Sequence, residues 1–199
     1  YGVVQQASPA DRDVCRQQVC EEHGLNPQLP ILFFNGLLDY KPNLDALDVI
    51  LKELLPRLQQ QSIPFQVLIA GKRLPAAYQQ LQPYKAQGVC YAGYVADIDQ
   101  YTKAAAILLN PVLTGGGVKT KMIEAIGCGT SVVATASGAA GVDVALCPNK
   151  LAVVPDGDWD AFAEAINNVL QQPYTPTPAA FYEEFYWGNI VKRVEAVLA

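Results

Sequence analysis

The feature that most constrains this chain is a passage from strand to helix through three consecutive glycines. Ala104 to Leu109 is an apolar run that reads as a buried strand. Asn110-Pro111-Val112-Leu113-Thr114 and Gly115-Gly116-Gly117 follow, and Val118 to Cys128 reads as a helix with Lys119 and Lys121 in its first turn. Glycine lets backbone N–H groups approach a ligand closely. A helix N-terminus carries unsatisfied N–H donors and partial positive charge, so it suits an anion. Two lysines there have the wrong sign for the helix dipole, and a bound phosphate would relieve that conflict. The alternative for the same pattern is a glycine turn with two solvated lysines. Two other glycine motifs do not fit. The spacing of a phosphate loop ending in Gly-Lys-Ser/Thr is missing, and the third glycine of a dinucleotide fingerprint is replaced by Thr120. That fingerprint also belongs after a first strand, whereas this loop follows about the fourth.

Further apolar runs mark a first strand at Ile31 to Asn35, a second at Phe65 to Ala70 and a third at Gly88 to Ala92. A fifth covers Ser131 to Ala134 and a sixth Leu151 to Val154. Between them lie helical stretches. Ser8 caps one that runs from Pro9 to about His23, where Gly24 ends it. Others are expected at Leu44 to Leu58, Ala76 to Lys85, Asp97 to Lys103 and Trp159 to Leu170. A single long helix is expected from Ala179 to Leu198, and Tyr1 to Ser8 reads as a frayed end. Strands alternating with helices predict an α/β fold: a Rossmann-like three-layer α/β/α arrangement with a six-stranded parallel sheet. Such sheets bind ligands at the carboxyl ends of their strands. That rule gathers the loops Gly36 to Lys41, Gly71 to Arg73, Gly93 to Val95 and Thr114 to Lys121; all contain glycine and three contain lysine.

Composition narrows the function classes. Hydrophobic residues make up 51% and charged residues 17%, as in a well-buried globular chain. The net charge of −5 gives no general basic field for nucleic acid, so any anion site is local. No apolar run approaches a membrane span, and no secretory signal is visible. Five cysteines, Cys15, Cys20, Cys90, Cys128 and Cys147, read as reduced thiols and suggest a cytoplasmic setting. Cys15, Cys20 and His23 lie close together but lack a fourth ligand, so no metal is expected. His23 is the only histidine, which argues against hydrolysis by a histidine base.

The stretch from Gly115 to Thr135 closely resembles the donor-binding motif of glycosyltransferase family four. Asn35 to Asn43 is similar to that family's first donor-domain loop, Val89 to Asp97 to its base-binding loop, and Tyr186-Trp187 with the last helix to its terminal segment. The resemblance covers about Leu29 to Leu198. It implies one half of a GT-B fold, in which two Rossmann-like domains face each other across a cleft. On that reading residues 1–28 are an N-terminal linker and helix. Residues 29–199 are the donor-binding domain with its C-terminal crossing helix, most simply an excised one. The acceptor-binding N-terminal domain lies outside this chain, membrane association could come only through that half, and the isolated domain would turn over nothing.

The roles implied by the resemblance are specific. Gly116, Gly117 and Val118 offer N–H groups to the distal phosphate, and Gly36 of the first loop counts among the donor-binding residues. Lys121, and less strongly Lys119, neutralises the leaving diphosphate. Glu124 takes the ribose hydroxyls; otherwise it would be a surface acid paired with Lys121. Tyr94 and Val95 flank the base, and Lys41 reaches a phosphate. The nucleotide-sugar is the donor substrate, and neither a metal nor any other cofactor is required. Two departures stand out. Gly116 occupies the place of an acid often found eight positions before the ribose glutamate, and Leu37 replaces an arginine, which shifts phosphate charge to Lys41, Lys72 and Lys121. A nucleotide-sugar epimerase half and a non-catalytic nucleotide-binding module of flavodoxin-like topology are the alternative readings.

Overall fold

The computed structural model describes residues 2–3, 7–61, 63–117 and 119–198. Six strands form one parallel sheet: β1 (Ile31–Asn35), β2 (Gln66–Ala70), β3 (Val89–Gly93), β4 (Ile107–Asn110), β5 (Ser131–Thr135) and β6 (Leu151–Val154). Their spatial order is β3-β2-β1-β4-β5-β6. The expected three-layer α/β fold is present, and its order is that of a doubly wound nucleotide-binding sheet, reversing between β1 and β4. The register pairs Leu32 with Val67 on one side and with Ile107 on the other.

Alternate residues of each strand feed two cores, as the pleat requires. Phe33, Leu68, Leu108 and Val132 point to one face, covered by α1 (Pro9–His23), α4 (Ile98–Ala104), α5 (Thr120–Gly127) and α7 (Ala179–Phe185). Leu32, Phe34, Leu109 and Val133 point to the other, covered by α2 (Lys41–Val49), α3 (Leu55–Gln59) and α6 (Trp159–Gln171). Between α2 and α3 the helix widens into a π turn, Ile50–Leu54, and Leu55 donates its N–H to the Ile50 carbonyl. Pro56 supplies the reason: its ring crowds the carbonyl four residues earlier, and the wider turn relieves that crowding.

Four expectations need correction. The fourth strand begins at Ile107 rather than Ala104, because Ala104 and Ala105 are the buried end of α4 and the turn after it. Apolarity alone does not separate a helix end from a strand start. Second, Ala76–Gln87 is not one α-helix. It is a 3-10 segment in which Gln79, Gln80 and Leu81 have φ of 49°, 54° and 58°. Those left-handed residues turn Leu81 into the core, and Pro83 denies a regular helix the N–H it would need. Third, the last helix is broken at Tyr186, which is extended, and α8 (Trp187–Leu198) starts anew. Fourth, Val3, inside the stretch read as a frayed end, is tied down, while Tyr1 and residues 4–6 of that stretch lie outside the described residues. Val3 is buried, its N–H donates to the Phe185 carbonyl at 2.7 Å, and Trp187 donates to the Val3 carbonyl at 3.1 Å. That parallel bridge takes up backbone groups a continuous helix would have used. The five cysteines are free thiols. Among the described residues, no helix is long and apolar enough to cross a membrane.

Candidate active site

The crevice at the reversal between β1 and β4 is where this topology places a ligand. The loop after β1 and the loop after β4 meet there. A Cβ built on Gly115 would lie 3.7 Å from the Tyr40 hydroxyl and 3.7 Å from Pro42, so the triple-glycine bend abuts the first loop. Beside them a cavity of about 390 Å³ is lined by Asn35, Gly36, Gly71, Lys72, Tyr94 and Val95, among others. Three of the four glycine loops therefore share one hollow, with the fourth at its border.

Lys121 sits in the first turn of α5. Its Nζ lies 3.5 Å from the Asn35 carbonyl oxygen and 4.6 Å from the centre of the Phe34 ring. Among the described residues it has no carboxylate partner. Burial and then the charge of Lys119 push its pKa down to about 7. A lysine held in this way lacks a counter-charge, and an incoming anion would supply one.

Lys119 behaves differently. Its Nζ donates to the Gly115 carbonyl at 2.6 Å and lies 3.3 Å from those of Gly116 and Gly117. The bend's carbonyl oxygens thus turn onto Lys119, with Gly115 and Gly117 at φ of 103° and 78°, a conformation that favours glycine. Among the described residues, the N–H groups of Gly115, Gly116 and Gly117 have no acceptor within the chain. Val118 lies outside the described residues.

Lys41 is not drawn into the crevice. It opens α2 and is ion-paired with Asp45 at 2.7 Å, with its side chain 82% exposed. Lys72 lies on the face of Tyr94, its Nζ 3.8 Å from the ring centre. Tyr94 is 64% exposed, so its ring is a platform at the mouth of the cavity. Leu37, where the resemblance would place an arginine, is an exposed apolar side chain. Glu124 lines a separate cavity of about 390 Å³ with Asp99, Lys103 and Cys128. On α4, Ile98 lines the first hollow and Asp99 this one. Burial and then Asp99 raise the Glu124 pKa. Glu124 makes no ion pair with Lys121 or any other described residue, so the simple surface-pair reading does not hold.

Sequence reasoning missed several residues of this rim. Asn35 and Asn110 end the two central strands, and each has a buried amide oxygen without a partner among the described residues. Asn110 Nδ2 donates to the Gly138 carbonyl at 2.8 Å, while Thr135 Oγ1 donates to the Val112 carbonyl at 2.6 Å. These bonds fix the exit of the chain from β4. An asparagine closing an otherwise apolar run is the signal that could have found the pair.

Gly71 provides a direct check on the hollow. A Cβ there would lie 2.0 Å from the Gly36 carbonyl oxygen and 2.9 Å from Leu38 Cγ. Gly71→Ala is therefore expected to force the first two loops apart. The loss of stability should be about 1–3 kcal/mol, read by urea unfolding. An unchanged midpoint would mean that the loops have room to spare.

Comparison with known proteins now adds to this geometry. The profile of the family described as "Glycosyl transferases group 1" matches residues 29–172. The chain belongs to the group 1 glycosyltransferases. A comparison with curated protein sequences gives no significant match. Among solved structures, HepE of Anabaena in complex with UDP aligns at 18% identity and a TM-score of 0.70, over 97% of this chain and 53% of that one. HepE in complex with UDP-glucose aligns at 18% identity and a TM-score of 0.71, over 99% and 55%. Sucrose-phosphate synthase of Thermosynechococcus elongatus aligns at 21% identity and a TM-score of 0.70, over 99% and 50%. At these identities the likeness is one of fold. The glycosyltransferase chain described here spans about half the length of those structures.

Proposed function

We propose that this chain is the C-terminal donor-binding half of a retaining family-four glycosyltransferase, which moves a hexose from a nucleoside diphosphate to an acceptor held by a second domain. The observation that carries this reading is Lys121, which among the described residues has no carboxylate partner, held at the β1/β4 reversal at the foot of the glycine bend, whose N–H groups have no acceptor among the described residues. When the bond from sugar to phosphate breaks, negative charge builds on the departing oxygen. Pre-placed N–H groups and an ammonium are the donors that stabilise such charge. They can do the work a metal ion does elsewhere, so no metal is part of the proposal.

Glu124 is assigned to the ribose because a carboxylate accepts two hydrogen bonds and because it follows Lys121 by one turn of α5. Tyr94 and Val95 are assigned to the base. Lys72 is released from the Tyr94 face when a base stacks there and becomes available to phosphate. Gly36 is part of the wall of the hollow, and Lys41 remains at its margin, free to act only if it leaves Asp45. The relatives crystallised with UDP and UDP-glucose support a nucleotide-sugar as the ligand class. An epimerase would need an acid or base such as histidine near the sugar. The only histidine, His23, is bonded to the Tyr101 hydroxyl at 2.6 Å and lines a cavity with Gln66 and Val89, at the opposite ends of the strands.

The test is a calorimetric comparison of nucleoside diphosphates with inorganic pyrophosphate. Glu124→Gln should weaken UDP or GDP binding about tenfold, the scale of one charged hydrogen bond, and leave pyrophosphate unchanged. Equal losses for both ligands would remove the ribose role. A panel that stabilised the chain no better with any nucleoside diphosphate than with phosphate would favour a plain anion-binding module.

A further inference from the structure

A further cavity, of about 440 Å³, opens on the opposite rim of the sheet. Pro30, Ala106, Ser131 and Lys150 stand there at the starts of β1, β4, β5 and β6. The volume is within the roughly 300–1,000 Å³ range of small-molecule sites. Three cations line it: Arg12 and Arg16 from α1, and Lys150 ahead of β6.

Their partners are all neutral. Arg12 Nη1 donates to the Cys128 carbonyl at 3.0 Å and to Thr130 Oγ1 at 2.5 Å, and Nη2 donates to the Ala105 carbonyl at 2.8 Å. Lys150, only 2% exposed, donates to the Gly129 carbonyl at 2.7 Å. Arg16 donates to the Pro27 and Leu29 carbonyls at 3.0 and 2.5 Å. Asp13 also lines the cavity, yet among the described residues it pairs with none of the three.

Part of this arrangement has a purely structural account. Cys128 and Gly129 follow the last turn of α5, and cations there satisfy its free carbonyls and the negative end of its dipole. That end amounts to about half a charge, while Arg12 and Lys150 bring two and Arg16 a third. Donors also remain over. A guanidinium has five N–H groups and an ammonium three, more than the bonds above use. Positive groups withdrawn from water without an anion are unfavourable. Burial and then Arg12 push the Lys150 pKa down to about 8. Tyr174 completes the wall, with its ring centre 4.3 Å from Lys150 Nζ and 5.7 Å from Arg12 Cζ. Val169 and Leu170 supply apolar surface alongside.

We propose that this cavity is a second ligand site, separate from the donor crevice, which takes a phosphate monoester: Lys150, Arg12 and Arg16 hold the phosphate, and Tyr174 packs against the group that carries it. A dianion with three acceptor oxygens matches three cations arriving from two elements. The space beyond the charges is too large for a bare ion alone and has an aromatic wall suited to a sugar ring.

The experiment uses the whole chain carrying Lys121→Ala, which takes the donor crevice out of the readout. Glucose 6-phosphate and inorganic phosphate are titrated and followed by thermal shift and calorimetry. Both should still bind, and adding Lys150→Met should weaken each at least about tenfold. Tyr174→Ala should weaken the sugar phosphate and spare inorganic phosphate. Phosphatidic acid vesicles form a separate arm. Lys150-dependent sedimentation with them, and no response to glucose 6-phosphate, would place the monoester on a lipid headgroup at the same site. Identical titrations with and without Lys150 overturn the proposal. A fold problem in the Lys150 variant is bypassed in the unsubstituted chain by NMR. There, either phosphate must move the Gly129 and Lys150 amide signals, and stationary signals overturn the proposal equally. Failure of the Lys121 reading would show instead as unchanged diphosphate binding in Lys121→Ala.

Discussion

Binding of a nucleoside diphosphate should take up close to one proton at about pH 8, and Lys121→Met should abolish that uptake. In the unliganded chain, burial and Lys119 hold the Lys121 pKa at about 7. A diphosphate beside the ammonium favours the charged form and raises that value. The sign follows from linkage. A group whose pKa is higher in the complex gives its full contribution below the free value, about 7, and loses it as pH rises towards the bound value. Affinity should therefore be level just below neutrality and fall by up to about tenfold per pH unit above it. Below about pH 6 the ligand's own protonation weakens binding again. Calorimetry in buffers of different ionisation enthalpy measures the uptake directly. Lys121→Met should also lower affinity at neutral pH by about 10- to 100-fold, the scale of a hydrogen bond to a charged group. Binding without proton exchange, at an affinity indifferent to the substitution, would leave the diphosphate assignment without support.

Phe34→Ala should cost about 3–5 kcal/mol of stability, a large share of the roughly 5–15 kcal/mol that holds a domain together. Phe34 is fully buried in the core shared by α2, α3 and α6, where truncation leaves a void. The urea midpoint should fall while the slope of the transition stays unchanged. This variant has a second consequence that most core truncations lack. The Phe34 ring lies under Lys121 Nζ and excludes water from it. Without the ring, the Lys121 pKa should climb towards that of a free lysine, and the alkaline fall in diphosphate affinity should move to higher pH. Leu32→Ala is the control. It opens a void in the same core, also from β1 and also from a fully buried residue, but two positions further from the crevice end of the strand. It should cost about 2–5 kcal/mol and leave the pH midpoint of binding in place. Equal pH midpoints in both variants would show that the ring does not set the environment of Lys121.

Local pattern was enough for the sheet because each strand is a short apolar run closed by glycine, proline or a polar residue. Ile31–Asn35 and Leu151–Val154 lie where the sequence puts them. The Ser8 cap also lies where sequence reasoning places it, since a cap is a contact between near neighbours in the chain. What escaped depends on distant partners. Nothing local in Tyr186 breaks a helix; Val3, far away in sequence, supplies the competing backbone bonds. Gln79 to Leu81 adopt left-handed dihedrals that their side chains do not favour, because Leu81 has to reach the core before Pro83. At the site, the sequence gathered four glycine loops, of which three line one cavity. It could not tell that Lys41 is held by Asp45, that Lys119 turns onto its own loop, or that Arg12 reaches across more than a hundred residues to Cys128 and Thr130.

The Lys119 contact has a kinetic consequence. Three successive glycines are among the most expensive residues to immobilise. By gathering three carbonyl oxygens in advance, one ammonium gives that bend a settled shape before any guest arrives. Capture then becomes a matter of diffusion and orientation instead of waiting for a loop to close, and selectivity among guests is expressed in how slowly each one leaves.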